Sequence, residues 1–115
     1  NLTEIFVKGV TDSRLTVASG TVMGFDIMLV AQRWGMSSGN EKSASWNFKG
    51  CITNIGGTTS ILGTIMKTVL GKTDSTYDCT VDAINANDAL RIRVQGQSGQ
   101  NIKWFAVVNT TEVAA

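Results

Sequence analysis

The chain has no histidine and no proline, and only two of its 115 residues are cysteine. Without histidine, the commonest general base and the commonest nitrogen ligand for zinc are both missing. No Ser-x-x-Lys run offers a nucleophile instead, and no Cys-x-x-Cys run offers a metal or redox pair. Cys51 and Cys79 fall in different predicted strands, and nothing in the sequence brings them within bridging distance. Two reduced thiols are the expectation, and a disulfide is the alternative. The lack of proline removes one of the usual guards of exposed sheet edges, so the edges must be covered in some other way. No apolar run approaches the ~18 residues that cross a bilayer, and the longest, residues 27–31, is strand-sized. No membrane insertion is expected. No basic segment precedes an apolar one as in a secretory leader. The sequence starts in mid-pattern at Asn1-Leu2-Thr3 without a methionine, which predicts a fragment of a longer protein.

Charge of one sign is lacking too. Ten basic and nine acidic residues leave a net charge of +1, which gives no footprint for nucleic acid or an anionic membrane. What the chain has is apolar alternation: 43% of residues are hydrophobic, which suits one globular domain over residues 1–115 rather than disorder. Residues 89–95 place Leu90, Ile92 and Val94 on one side and Arg91, Arg93 and Gln95 on the other. After the turn run 96–101, residues 102–108 put Ile102, Trp104, Ala106 and Val108 on one side, with Lys103, Phe105 and Val107 opposite. Period two means strands, and the two glycines between them predict a hairpin with Trp104 in the core.

Further strands are expected over residues 4–10, 14–17, 22–34, 43–53, 58–70 and 77–83. The polar run 35–42 reads as a hairpin loop, and 54–57, 71–76 and 85–88 as turns. For residues 58–70, Thr and Ile content and flanking glycines favour strand over helix. Seven or eight strands with turn signals every eight to twelve residues predict an all-β fold, an antiparallel β-sandwich of jelly-roll-like form. Residues 22–34 and 102–108 carry apolar side chains on both faces. Met28, Val30, Phe105 and Val107 are therefore expected to line a subunit interface.

Three site chemistries can be weighed. Asp78 and Asp82 share a strand face, but four residues of extended chain hold them roughly 13 Å apart, too far for a glycosidase pair. No enzyme activity and no cofactor are expected. Asp74, Asp78, Asp82, Asn85, Asn87 and Asp88 offer hard oxygen ligands of the kind calcium takes. Their spacing is not that of an EF-hand, and turns favour the same residues, so no metal is the expectation and Asp74, Asp78 and Asp82 are the alternative. Trp34 ends a strand at the polar loop beside Arg33, Asn40 and Lys42. These four are the candidate contacts for a sugar ring and its hydroxyls, and packing of Trp34 against a neighbouring subunit or loop is the competing reading.

The chain resembles a module of bacteriophage virion appendage proteins over roughly residues 22–113. The resemblance rests on Phe25-Asp26-Ile27-Met28-Leu29-Val30-Ala31-Gln32-Arg33, Gly57-Thr58-Thr59-Ser60-Ile61-Leu62-Gly63-Thr64-Ile65 and Lys67-Thr68-Val69-Leu70. It is strongest in Tyr77-Asp78-Cys79-Thr80-Val81, Asn87-Asp88-Ala89-Leu90-Arg91-Ile92, Ile102-Lys103-Trp104-Phe105-Ala106-Val107-Val108 and Thr110-Thr111-Glu112-Val113. Such modules commonly close tail fibres, tailspikes and related structural proteins. Trp34 stands where the pattern has a small polar residue, which marks its loop as variable. The resemblance implies a homotrimer in a virion assembled in the bacterial cytoplasm. It also implies attachment to bacterial surface polysaccharide and carries no catalytic residues. A purely structural head-fibre, capsid-decoration or oligomerisation domain without a ligand is the alternative.

Overall fold

Residues 21–33 alternate buried and open side chains, and the strand they form, β3 (Thr21–Arg33), is the spine of the molecule. The structure is a computed structural model and describes residues 2–35 and 42–114. The other strands are β1 (Thr3–Ile5), β2 (Leu15–Thr16), β4 (Ser43–Ile55), β5 (Thr58–Lys72), β6 (Asp78–Ile84), β7 (Ala89–Gln95) and β8 (Ile102–Ala114). No α-helix occurs among the described residues. Every pairing is antiparallel.

The larger sheet runs β5-β4-β3-β8. Three consecutive strands with the last returning beside the first make a Greek key. In the smaller sheet β7 is central, with β6 on one side and the two short strands β1 and β2 end to end on the other. The sheets face each other as the expected antiparallel β-sandwich. Met23, Phe25, Ile27, Leu29 and Ala31 of β3 meet Leu90, Ile92 and Val94 of β7 and Tyr77, Cys79 and Val81 on the β6 side in one core.

Small residues make room for large ones in that core. Across β3, Leu29 pairs with Trp46 and Ala106, and Ala31 pairs with Ala44 and Trp104. The three alanines leave space for the two indoles, which stack with centroids 5.9 Å apart and planes 18° from parallel. Trp46 is fully buried, whereas Trp104, nearer the sheet edge, is only partly so. Gly50 stands opposite Phe25, and a Cβ there would come within 2.7 Å of the Phe25 ring. The turn joining β4 to β5 is Gly56-Gly57, both at positive φ, the backbone that a two-residue hairpin demands. Strand β4 thus runs through Asn54 and Ile55, where the sequence predicted a break.

Two expectations are corrected. The strand predicted over residues 4–10 stops at Ile5, because Lys8 and Gly9 turn left-handed and Val7–Gly9 forms a 3₁₀ turn. The predicted hairpin of residues 89–108 is an arch. Strand β7 belongs to the small sheet and β8 to the large one, so the chain crosses between layers at residues 96–101 and the limbs never pair. Strand β8 instead runs along the whole of β3, from Thr21 opposite Ala114 to Arg33 opposite Ile102.

The two sheets differ in length, and this leaves the sandwich unsealed. The large sheet's strands are 13 to 15 residues long, but β1 and β2 supply only three and two. Between those short strands and β8 lies a cleft of about 730 Å³, floored by Leu90, Ile92, Trp104 and Val108. The opposite side is closed by polar side chains: Lys67 Nζ donates to Asp78 Oδ1 at 2.7 Å and to the Cys79 carbonyl at 2.8 Å. The molecule measures 53 × 26 × 20 Å.

Candidate functional site

The outer face of the large sheet is the first candidate. On β3 and β8 the residues that point away from the core meet in register: Val22 opposite Val113, Met28 opposite Val107, and Val30 opposite Phe105. All six are exposed, Phe105 at 70% and Val113 at 72%. The four residues expected at a subunit interface therefore form two adjacent cross-strand pairs. A second apolar strip lies on β5, where Leu62 and Met66 stand opposite Cys51 and Lys49 on the same face and are likewise exposed. Between the strips runs a polar band. Asn47 Nδ2 donates to Asp26 Oδ1 at 2.8 Å and to the Ile27 carbonyl at 3.0 Å, and Lys49 Nζ lies 3.9 Å from Asp26 Oδ2.

Clusters of open apolar side chains of this kind mark interaction surfaces more often than chance exposure does. The total accessible area of 6717 Å² exceeds the roughly 6,100 Å² expected of a monomer of this mass. The radius of gyration, 15.2 Å, likewise exceeds the roughly 13 Å of a compact chain of this length. Single-chain packing leaves more surface open than usual.

The second candidate is the end of the sandwich where β3 passes into the loop. Trp34 is 59% exposed, and its backbone N–H donates to the Asn101 carbonyl at 2.6 Å, which carries the β3–β8 ladder one step further. Lys103 Nζ lies 3.7 Å from the Trp34 ring centroid, a cation–π contact that occupies one face of the indole. The Arg33 N–H donates to the Lys42 carbonyl at 2.9 Å, so the predicted trio Arg33, Trp34 and Lys42 is brought together. Asn40, the fourth, lies outside the described residues. Sequence reasoning missed two cations at the same end. Lys72 stands opposite Ala44, and its Nζ donates to the Tyr77 carbonyl at 3.1 Å; Lys103 stands opposite Gln32. The Tyr77 hydroxyl donates to Gln100 Oε1 at the same end, and burial, with the Asp74 charge, pushes its pKa up.

The acids of residues 74–88 do not converge. Asp74 is buried and accepts from the Thr76 N–H and hydroxyl, which hold its carboxyl below the usual range. Asp78 is desolvated, yet its hydrogen bonds from Lys67 and the Cys79 N–H hold its carboxyl low. Asp82 accepts a two-pronged contact from Arg91, at 2.8 and 2.7 Å, and a third hydrogen bond from Arg93 at 3.1 Å. Asn85 and Asp88 both accept from Thr59. Among the described residues no three Cys, Asp or Glu side chains gather at one point. The calcium alternative of Asp74, Asp78 and Asp82 therefore finds no shared site, because each carboxylate turns to a partner of its own. Both cysteines are free: Cys79 is buried in β6, and Cys51 is half-buried in the other sheet. No protein-family model and no curated protein matches the chain.

Proposed function

We propose that the chain is a non-enzymatic assembly and attachment domain of a bacteriophage virion appendage, a tail fibre or tailspike. Its large sheet would bind sister copies, and its Trp34 end would contact bacterial surface glycan. The observation that carries the assembly half is the open apolar pairing of Val30 with Phe105 and of Met28 with Val107. The two apolar strips, on β3–β8 and on β5, are different surfaces of one face. Contact between unlike patches is heterologous, and it builds a ring where the rotation between copies closes and an open filament where it does not. The number three comes from the resemblance to fibres and spikes, which are usually three-fold.

The attachment half rests on Trp34, an exposed ring with polar and charged neighbours at the tip of an elongated body. Weak contacts there would be amplified by presentation in several copies. The purely structural reading draws on a different fact: Lys103 already covers one face of the Trp34 ring. Light scattering decides the assembly half, since a stable 12.3 kDa monomer at micromolar concentration removes it. Titration with host polysaccharide, wild type against Trp34→Ala, decides the attachment half. No binding by either protein leaves only the structural role.

A further inference from the structure

The two edges of the large sheet are guarded unequally. Strand β5 is interrupted by register shifts opposite Ser45/Trp46 and Lys49/Cys51 and carries Gly63 at positive φ. It also sends Lys67 and Lys72 across to acceptors on or beside β6. Bulges and lysines of this kind keep a sheet edge from pairing. Strand β8, the other edge, lacks them over most of its length. Its ladder to β3 is unshifted from Ala114 to Ile102, proline is absent, and residues 104–111 carry no charge. Among the described residues β8 pairs with β3 alone, and no turn or loop bonds to its backbone. In an antiparallel ladder every second residue turns its N–H and C=O away from the partner strand, so a row of donors and acceptors along β8 lies open. The cleft of about 730 Å³ opens along the same stretch, lined by Trp104, Ala106 and Val108 of β8 and by Ile5 and Leu15 of the short strands. Its volume is within the roughly 300–1,000 Å³ of ligand sites. Lys8 also lines it, exposed and in no ion pair among the described residues.

We propose that β8 and this cleft together accept one extended strand of another polypeptide, with apolar side chains at every second position. Its backbone completes the open hydrogen bonds of β8, as in other strand additions to a sheet edge. Its inward side chains, every second one along the strand, fill the cleft and seal the sandwich where β1 and β2 are too short to do so. An acidic residue at the end of the strand meets Lys8. This edge and inner cleft are separate from the outer face proposed to bind sister copies, so the inference goes beyond that reading. A second copy supplies no such strand. Pairing β8 with the partner's β8 satisfies the backbone but leaves both clefts empty, because Ile102, Trp104, Ala106 and Val108 already pack on their own core. The β5 edge of a second copy is bulged. A small apolar molecule fills the cleft but leaves the edge unpaired. A strand answers both.

The test is titration of the 115-residue chain with synthetic peptides of about nine residues, ~30 Å when extended. One alternates valine with threonine and carries aspartate at each end. A second has the same composition in an order without alternation, and a third is the first with its amides N-methylated, which removes the donors an added strand needs. The alternating peptide is expected to bind, and residue-resolved hydrogen exchange to show alternate amides of residues 104–110 gaining protection. The other two are expected to bind at least about tenfold more weakly. Ala106→Trp, which fills the cleft, should cost about tenfold, and Lys8→Glu about threefold. Circular dichroism verifies folding, and Lys8, being exposed, keeps the test open if Ala106→Trp does not fold. Equal binding of the three peptides would reduce the cleft to a general apolar site and overturn the proposal. So would binding without new protection along β8, unchanged affinity in the folded variants, or no binding of the alternating peptide. Protection of the same amides that rises with the chain's own concentration, peptide absent, would assign the edge to a second copy and overturn it too.

Discussion

Val30 and Phe105 stand directly opposite each other across the β3–β8 ladder, both on the face turned away from the core. A valine–phenylalanine cross-strand pair helps hold the two strands together, but with Phe105 70% exposed most of its apolar surface meets water in a single chain. Substitution with a charge should therefore cost the isolated fold little, within about 0.5 kcal/mol, and cost assembly a great deal. For Phe105→Lys, size-exclusion chromatography with light scattering should show a single 12.3 kDa chain where wild type shows a multiple, with an unchanged far-ultraviolet spectrum. A variant that still assembles as wild type does would clear this face of the role.

The Trp46–Trp104 stack makes the opposite prediction, because it lies inside. Trp46 is fully buried, and its indole Nε1 has no hydrogen-bond partner among the described residues. Trp46→Ala opens a large cavity and should cost about 3–5 kcal/mol, a large share of the stability of a domain this size. Trp46→Phe keeps most of the volume and removes the unpartnered N–H, whose burial itself costs about 1–3 kcal/mol. It should therefore lose far less than the alanine variant. Urea unfolding of the three proteins measures both differences, and equal losses for Phe and Ala would contradict this account of the core.

How much of this was legible beforehand depends on how local the signal is. The alternation of β3, β4, β7 and β8 is written in consecutive residues, so their faces, including exposed Phe105 and Val107, could be read directly. Strand partners could not. Residues 96–101 have the glycines of a hairpin loop, yet β8 leaves β7 for β3, about 70 to 90 residues away in sequence, where Trp104 stacks on Trp46 of the same sheet. Residues 6–8 alternate like a strand, but the left-handed turn at Lys8 and Gly9 overrides the pattern. The Trp34 end was hidden for the same reason: Arg33, Lys42, Lys72 and Lys103 come to one end of the large sheet only once the sheet order is known.

The hydrogen bonds from Arg91 to Asp82, aided by Arg93, hold the Asp82 carboxyl below its ordinary 3.8. A lowered folded-state pKa stabilises the fold above about pH 4, and that contribution is lost as pH falls through the folded value. The contact is about one-third open to solvent on the Asp82 side, so screening keeps it modest. Asp82→Asn should destabilise by about 1 kcal/mol at pH 7, and the difference should shrink as pH falls below 3.8 and the wild-type carboxyl takes up its proton. Thermal melts of both proteins across pH 2–7 should converge at the acid end. Curves that stay parallel would show that the carboxylate charge is not what matters.

Cys79 titrates in the other direction. It is fully enclosed on the inner side of β6, and burial pushes its thiol up to about 12 from 9.0. In the unfolded chain the thiol ionises near 9, whereas in the folded chain it stays protonated until about 12. Its contribution is therefore whole below pH 9 and falls as pH rises through that window, by no more than about 1.4 kcal/mol per pH unit. Wild type alone cannot isolate the thiol from the rest of the chain at high pH. The comparison with Cys79→Ala can, because both proteins share every other group. Wild type should be the more stable at pH 8 by the packing of one sulfur, and the advantage should shrink steadily from pH 9 to 11. A difference that holds constant with pH would mean the thiol reaches solvent in the native state, and that the seal between the two sheets at β6 is looser than the hydrogen bonds of Lys67 across it imply.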